Sequence, residues 1–200
     1  MAGKDRRHEI MQAAEELSRD RRFHEVTLDE VARKAKVGKG TIYRHFRDKD
    51  DLFFQTASSG FDDLCELLRR KVPEKARFRE RLLSACVEIG KFHGRRRHLV
   101  RMMQAEEGQL ARHRAERRGE WMAERRKLVS ALAEILRQGA REGEVREDVP
   151  AEVLAGYLLG MLRTRVHGLP EVNEAFRSRE TLVELYLHGV GAGRKRPRSG

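Results

Sequence analysis

The sequence predicts an all-α fold, and three observations carry that prediction. Apolar residues recur three and four positions apart through most of the chain, which is the spacing of a helix face. The 200 residues include only four prolines and few β-branched runs, so strands have little support. Residues 23–52, FHEVTLDEVARKAKVGKGTIYRHFRDKDDL, are punctuated as two short helices joined by a tight turn, with a third helix starting behind them. The expected architecture is an N-terminal three-helix unit built on this helix-turn-helix, followed by a C-terminal helical bundle.

In chain order, residues 1–5 are expected to be loose. A first helix is predicted over 6–19, with Ile10, Ala14 and Leu17 inward and Phe23 closing the unit. Its leading residues Lys4, Arg6 and Arg7 suit either a frayed soluble end or a phosphate contact. Thr27-Leu28-Asp29-Glu30 has the form of a capping box, in which the Thr27 hydroxyl accepts from the Glu30 amide and the Glu30 carboxylate from the Thr27 amide. A helix therefore starts at Leu28, with Val26 and Val31 at the two positions of a hydrophobic staple and Leu28, Val31, Ala32 and Ala35 as its apolar face. Lys36-Val37-Gly38 breaks the pattern, and Gly38 is placed to cap a helix over 39–46. There Ile42 and Phe46 lie four apart and face inward, leaving Lys39, Gly40, Thr41, Tyr43, Arg44 and His45 on the other side. Asp48 caps the next helix at Lys49, with Asp50 and Asp51 in the first turn where the macrodipole favours acids.

Charge indicates what the outward face is for. From Arg33 to Lys49 there are seven Lys or Arg against one acid, Asp48, in a chain of net charge +11. Such a face attracts phosphate, and a helix-turn-helix sets the first half of its second helix against base edges while surrounding basic groups hold the backbone. Gly40 permits close approach there. A basic helix alone more often means a solvated surface; the convergence of cap, turn and inward residues favours DNA.

Thr27, Val31-Ala32, Ala35, Val37, Gly40-Thr41-Ile42-Tyr43, His45-Phe46, Lys49 and Leu52 together resemble the DNA-binding signature of the TetR family of bacterial transcriptional regulators. Two positions depart from it. Lys36 stands where many members have glycine, which implies an ordinary right-handed conformation at that turn residue. Gly38 stands where many have serine, giving up a side-chain cap worth about a few tenths of a kcal/mol. The resemblance places Thr27, Tyr43, His45 and Lys49 on phosphates and Lys39, Gly40, Thr41 and Arg44 nearest the bases. It implies a cytoplasmic, ligand-responsive repressor that binds a palindromic double-stranded operator as a homodimer and is released by a small-molecule effector. Residues 1–48 would form the DNA-binding domain and 49–190 the ligand-binding and dimerisation domain, with 49–71 as the connecting helix. Residues 191–200 are a basic tail expected to be disordered.

The connecting helix has no breaker before Val72-Pro73, and Leu52, Phe53, Ala57, Phe61, Leu64 and Leu68 keep one face apolar. Beyond residue 75 the helical spacing continues through Phe78, Leu82, Leu83, Cys86, Val87 and Ile89, with a break expected at Gly90 and Gly94. It resumes in Leu99, Val100, Met102 and Met103, and then in Trp121, Leu128, Ala131, Leu132, Ile135 and Leu136, ending at 139–143. Arg95-Arg96-Arg97 and the run 112–126 read as solvated faces. Pro150 opens a helix to about residue 166, and a last one is predicted over 173–190 and includes Phe176. Val153, Leu154, Tyr157, Leu158 and Met161 on one, with Leu182, Leu185 and Tyr186 on the other, offer more apolar perimeter than one core uses. They suit a four-helix dimer interface or burial within the monomer equally well, and the resemblance favours the interface. Phe61, Phe78, Phe92, Met102, Met103, Trp121, Met122 and Tyr157 are the candidate effector-pocket walls, although aromatics and methionines at helical spacing are more often plain core.

Other classes find little support. His8-Glu9 and His24-Glu25 begin H-E-x-x-H patterns, but Gln12 and Leu28 stand where the second histidine would be. Gly38-Lys39-Gly40-Thr41 lacks the leading glycine and the preceding strand of a phosphate loop. His93, His98 and His113 share no helical face at ligand spacing. No catalytic residue, metal or cofactor is therefore assigned. Cys65 and Cys86 sit among apolar neighbours and read as reduced core thiols. No apolar run approaches the roughly 18 residues of a membrane span, so a soluble, unexported protein is expected. A DNA packager would share the basic balance but lack a preference of roughly a thousandfold for one operator.

Overall fold

A computed structural model describes residues 2–19, 21, 25–109, 115–167, 173 and 178–190. The helices are α1 Ala2–Leu17, α2 Leu28–Lys34, α3 Lys39–His45, α4 Lys49–Lys71, α5 Phe78–Arg95, α6 Arg97–Gln109, α7 Ala115–Arg141, α8 Ala151–His167 and α9 Arg179–Val190. Among the described residues there is no strand, and no helix is long and apolar enough to cross a membrane. Phe23, His24, Arg112, His113, Phe176 and the tail 191–200 lie outside the described residues.

Three boundaries differ from the sequence expectation. Helix α1 starts at Ala2 rather than near residue 6, and its first turns are tied along the surface by an Arg6–Glu9 pair at 2.8 Å. Helix α5 runs through Gly90 and Gly94 to Arg95. Each glycine costs about 1 kcal/mol against alanine in a helix, but Phe78, Leu82, Ala85, Cys86, Ile89 and Phe92 are all buried on one face, and that burial outweighs the propensity. Helix α9 starts at Arg179, because the Ser178 hydroxyl accepts the Thr181 amide at 3.0 Å and so fixes the N-terminus there.

Two compact units make up the chain: Met1–Asp63 with His93–Glu124, and Leu64–Phe92 with Arg125–Gly200. Helices α4, α5 and α7 contribute residues to both, and the expected boundary after residue 48 falls at the start of α4, inside the first unit.

In the first unit α1 packs on α2 and α3. Ile10, Ala14, Val26, Val31, Ile42, Phe46, Leu52 and Phe53 form the centre of its core. The Glu15 carboxylate of α1 accepts from Arg96 Nε at 2.8 Å and lies 2.7 Å from His98 Nε2, while Arg96 also pairs with Asp63. Arg96 is therefore a tie between α1 and α4 rather than part of a solvated face. A second cluster joins Phe54 and Phe61 of α4 to Trp121 of α7, with ring centroids 5.8 and 5.0 Å apart. The Arg117 guanidinium lies 5.1 Å from the Phe54 ring centroid, so it too leaves the solvated run.

In the second unit Leu132 and Leu136 of α7, Leu154 and Leu158 of α8 and Val183 and Tyr186 of α9 are buried. The Tyr186 hydroxyl donates to the Leu154 carbonyl at 2.7 Å, which locks α9 to α8. Gly139 sits inside α7 because a Cβ there would lie 2.4 Å from the Phe78 ring. Buried Arg81 bonds Glu142 at 2.6 Å and the Ala76 carbonyl. Cys86 is fully buried and Cys65 half-buried, and among the described residues neither forms a disulfide. Burial pushes the Cys86 thiol up to about 12 against the pull of Arg165 and Arg179.

The turn after α2 corrects an expectation. Lys36 has φ 54° and is left-handed, not right-handed. Its amide donates to Arg33 O at 3.2 Å and that of Val37 to Ala32 O at 2.9 Å, the paired bonds of a Schellman motif, whose geometry requires a left-handed residue at this position. For a residue with a Cβ that conformation costs roughly 1–2 kcal/mol.

Candidate nucleic-acid interface

Helix α2 begins as its sequence dictates. The Glu30 amide donates to Thr27 Oγ1 at 3.3 Å, and the Thr27 amide donates to Glu30 Oε2 at 2.8 Å, which completes the capping box. Arg21 adds a bond from Nη1 to Glu30 Oε1 at 2.7 Å. That bond, followed by the Thr27 amide and hydroxyl, holds the Glu30 carboxyl down at about 2. Thr27 Oγ1 also donates to Glu30 Oε2 at 2.9 Å, so its hydroxyl is engaged in the cap before any phosphate reaches it.

Helix α3 follows with Gly38 as its N-cap, extended and without a side-chain bond. Ile42 and Phe46 point into the core at 0% and 2% exposure, and this sets which face is outward. Tyr43 is 52% exposed, Lys39, Gly40 and Arg44 are exposed, and Thr41 and His45 are half-buried. A Cβ on Gly40 would meet nothing within 4 Å, so no packing among the described residues requires glycine there. Lys39 Nζ lies 2.9 Å from Asp29 Oδ1, and the carboxylate raises the pKa of the ammonium. The Lys39 charge is therefore already engaged within the motif before DNA arrives.

The far end of α3 is fixed by a relay the sequence pattern did not reveal. The Arg7 guanidinium lies 5.5 Å from the Phe46 ring centroid and donates to Gln55 Oε1. Gln55 Nε2 in turn donates to Asp51 Oδ1 at 2.8 Å, and Asp51 Oδ2 accepts the Arg47 amide at 2.9 Å. Asp48 Oδ1 accepts the Asp51 amide at 2.7 Å and caps α4, whose first residue, Lys49, is half-buried. Arg6 and Arg7 are thus both engaged within α1 or across to α4. The signal for the Arg7 contact was an arginine preceding the apolar stripe of α1, but its aromatic partner is 39 positions away in sequence.

The candidate effector residues are divided between the two units. Phe61, Met102, Met103, Trp121 and Met122 belong to the first unit, whereas Phe78 and Phe92 are core residues of the second. Tyr157 is 66% exposed. Gly60 admits Met103, whose sulfur lies 2.5 Å from where a Cβ would stand. The Trp121 indole nitrogen is buried without a hydrogen-bond partner among the described residues.

The candidate interface residues also divide. Leu154, Leu158, Leu182 and Tyr186 are 0–6% exposed inside the protomer, because α8 and α9 pack on their own unit through them. These four are core, which corrects the wider assignment. Val153, Tyr157 and Leu185 are 42%, 66% and 61% exposed, and Met161 is half-buried. Among the described residues no three His, Cys, Asp or Glu side chains are grouped to hold a metal ion.

Residues 10–56 match the family described as bacterial regulatory proteins, tetR family, and residues 75–167 match the tetracyclin repressor-like C-terminal domain. The HTH-type transcriptional regulator HbdR of Aromatoleum is 36% identical over 81 residues, which are 40% of this chain and 35% of that protein. The HTH-type regulator YdeS of Bacillus subtilis is 28% identical over 84% of this chain and 81% of its own length. The fatty acid metabolism regulator of the same organism is 23% identical over 77% of this chain and 78% of its own. The crystal structure of the regulator FadR from B. subtilis in complex with stearoyl-CoA aligns at TM-score 0.75 and 21% identity, covering 92% of this chain and 98% of that one.

Proposed function

Given that the chain belongs to the TetR family of bacterial regulatory proteins, and is thus a DNA-binding transcriptional regulator and not an enzyme, we propose that it is a cytoplasmic repressor released by a small-molecule effector. It binds a palindromic operator as a homodimer. The observation that carries this reading is the outward face of α3, where Lys39, Gly40 and Arg44 are exposed and Thr41 is half-buried, around a glycine whose open side meets no atom of the described residues. Bases are read from that face, and Thr27, Tyr43, His45 and Lys49 hold the backbone on either side. Residues 1–48 do the reading, while 49–190 sense the effector and dimerise.

Dimerisation uses Val153, Tyr157, Met161 and Leu185, the part of the apolar perimeter of α8 and α9 that the protomer leaves uncovered. A two-fold dimer presents two α3 helices to two half-sites, so an effector that alters their spacing releases DNA. Helix α4, which contributes to both units, is the natural carrier of that change. An acyl-CoA is the effector class that the relatives support, through the fatty acid metabolism regulator and the stearoyl-CoA complex of FadR. Phe61, Met103 and Trp121 supply the apolar surface such a chain needs.

The test is selection of a preferred duplex from a random library, followed by titration with and without stearoyl-CoA, stearate and free CoA. A palindrome bound roughly a thousandfold more tightly than bulk DNA is expected, with release by the thioester. Equal binding to all duplexes would remove the operator, and release by none of the three compounds would remove the acyl-CoA.

A further inference from the structure

The turn that aims α3 is held in a conformation its own residue type resists. Lys36, at φ 54°, is the one non-glycine with positive φ among the described residues. The chain supplies its own comparison. Helix α7 ends in the same hydrogen-bond pattern, with the Gly143 amide on Ala140 O and the Glu144 amide on Gly139 O, both at 2.9 Å, and there the left-handed position is glycine at φ 77°. Glycine takes that conformation without steric penalty, so a motif answering only to the fold is better served by it. Lysine at the equivalent place after α2 answers to something else.

Its surroundings narrow what that is. The neighbouring lysines have carboxylates, with Lys34 2.9 Å from Glu16 and Lys39 2.9 Å from Asp29. Lys36 is exposed, and among the described residues no ion pair or hydrogen bond engages its ammonium. Backbone strain concentrates at functional positions that the surrounding structure over-determines. Here the strained residue is an uncommitted cation on the turn between α2 and α3.

We propose that Lys36 is a phosphate contact, anchoring this turn to the DNA backbone and fixing the register of α3 without reading a base. The inference rests on α3 being the groove-entering helix. Full-length Lys36→Gly, Lys36→Asn and Lys36→Arg proteins would be titrated with a mixed-sequence duplex by fluorescence anisotropy between about 50 and 200 mM salt. The glycine and asparagine variants are expected to bind roughly threefold or more weakly at the upper end, with a log-affinity against log-salt slope shallower by about 0.9 per subunit. Both should melt at or above the wild-type temperature, since both residues accept the left-handed conformation. The arginine variant should keep affinity and slope. Weaker binding by a more stable protein cannot come from misfolding. A glycine variant that melts higher yet keeps the wild-type affinity and slope would overturn the contact. Lys49→Ala separates that failure from a failure of the underlying reading: if it flattens the slope while Lys36→Gly does not, only the Lys36 contact is lost. If neither variant changes the slope, the reading of α3 as the groove-entering helix falls with it.

Discussion

Asp29 in the first turn of α2 holds Lys39 at the start of α3, with Oδ1 2.9 Å from Nζ. The pair bridges the two helices of the motif, and both side chains are at least half exposed. An exposed pair contributes little to stability, so its consequence lies in binding: a duplex must take Lys39 from Asp29 and tolerate the carboxylate beside its own charge. Asp29→Asn is therefore expected to tighten binding to any duplex by up to about fivefold per half-site at low salt, with melting temperature nearly unchanged. Anisotropy titrations of the two proteins check it. Equal or weaker binding by the variant would mean that Asp29 positions Lys39 instead of competing for it.

The capping box gives a pH prediction. Glu30 is held at about 2 against an ordinary 4.5, first by Arg21 and then by Thr27. A carboxylate whose pKa is depressed on folding contributes stability that is fully present above its unfolded value and lost as pH falls through the folded one. The Glu30 contribution should accordingly be complete at neutral pH and disappear between about 4.5 and 2. Glu30→Gln keeps the shape and removes the titration. Melting temperatures of the two proteins should differ most near pH 7 and converge as pH falls from about 4.5 towards 2; a gap independent of pH would show that the cap works without its charge.

What the sequence made legible was what a few neighbouring residues decide. Thr27 with Glu30, Asp48 with Asp51, and the inward spacing of Ile42 and Phe46 are all within one helical turn, and each appears where the pattern put it. Contacts between distant residues were not legible. Arg96 reaches Glu15 across 81 positions, and Arg7 meets Phe46 from another helix, so a run of arginines and a basic end read as solvated or phosphate-seeking. Nor could periodicity divide a wide apolar face between protomer and partner, because Leu158 and Tyr157 are adjacent in sequence yet 0% and 66% exposed. The left-handed Lys36 was missed because the residue type argued against the conformation that two backbone bonds impose.

That division of the apolar face can be tested with two substitutions. Tyr157→Asp places a charge on an exposed side chain, so it should leave the melting temperature of the protomer nearly intact while shifting a dimer to monomer at tens of micromolar in sedimentation. Leu158→Ala, one residue on, empties a fully buried site and should destabilise by about 2–5 kcal/mol. A dimer unaffected by Tyr157→Asp, or by the double variant with Leu185→Asp, would place the interface elsewhere.

Positioning and reading should separate in Lys49 and Thr41. Lys49 opens α4 beside the Asp48 cap, and Thr41 lies half-buried in the first turn of α3 next to the open side of Gly40. A lysine on phosphate contributes through counterion release, which is blind to sequence. Lys49→Ala should therefore weaken all duplexes about equally and flatten the log-affinity against log-salt slope by about one per half-site. A threonine at a base edge contributes through its hydroxyl, so Thr41→Val, which keeps the shape, should change the preference among operators by on the order of 1 kcal/mol per half-site with little change in slope. Salt-series titrations on the selected operator and on single-base variants measure both quantities. If Lys49→Ala changed which sequence is preferred while Thr41→Val left the preference untouched, α3 would not lie in the major groove in the orientation proposed, and the division of the outward face into phosphate-holding and base-reading residues would have to be redrawn.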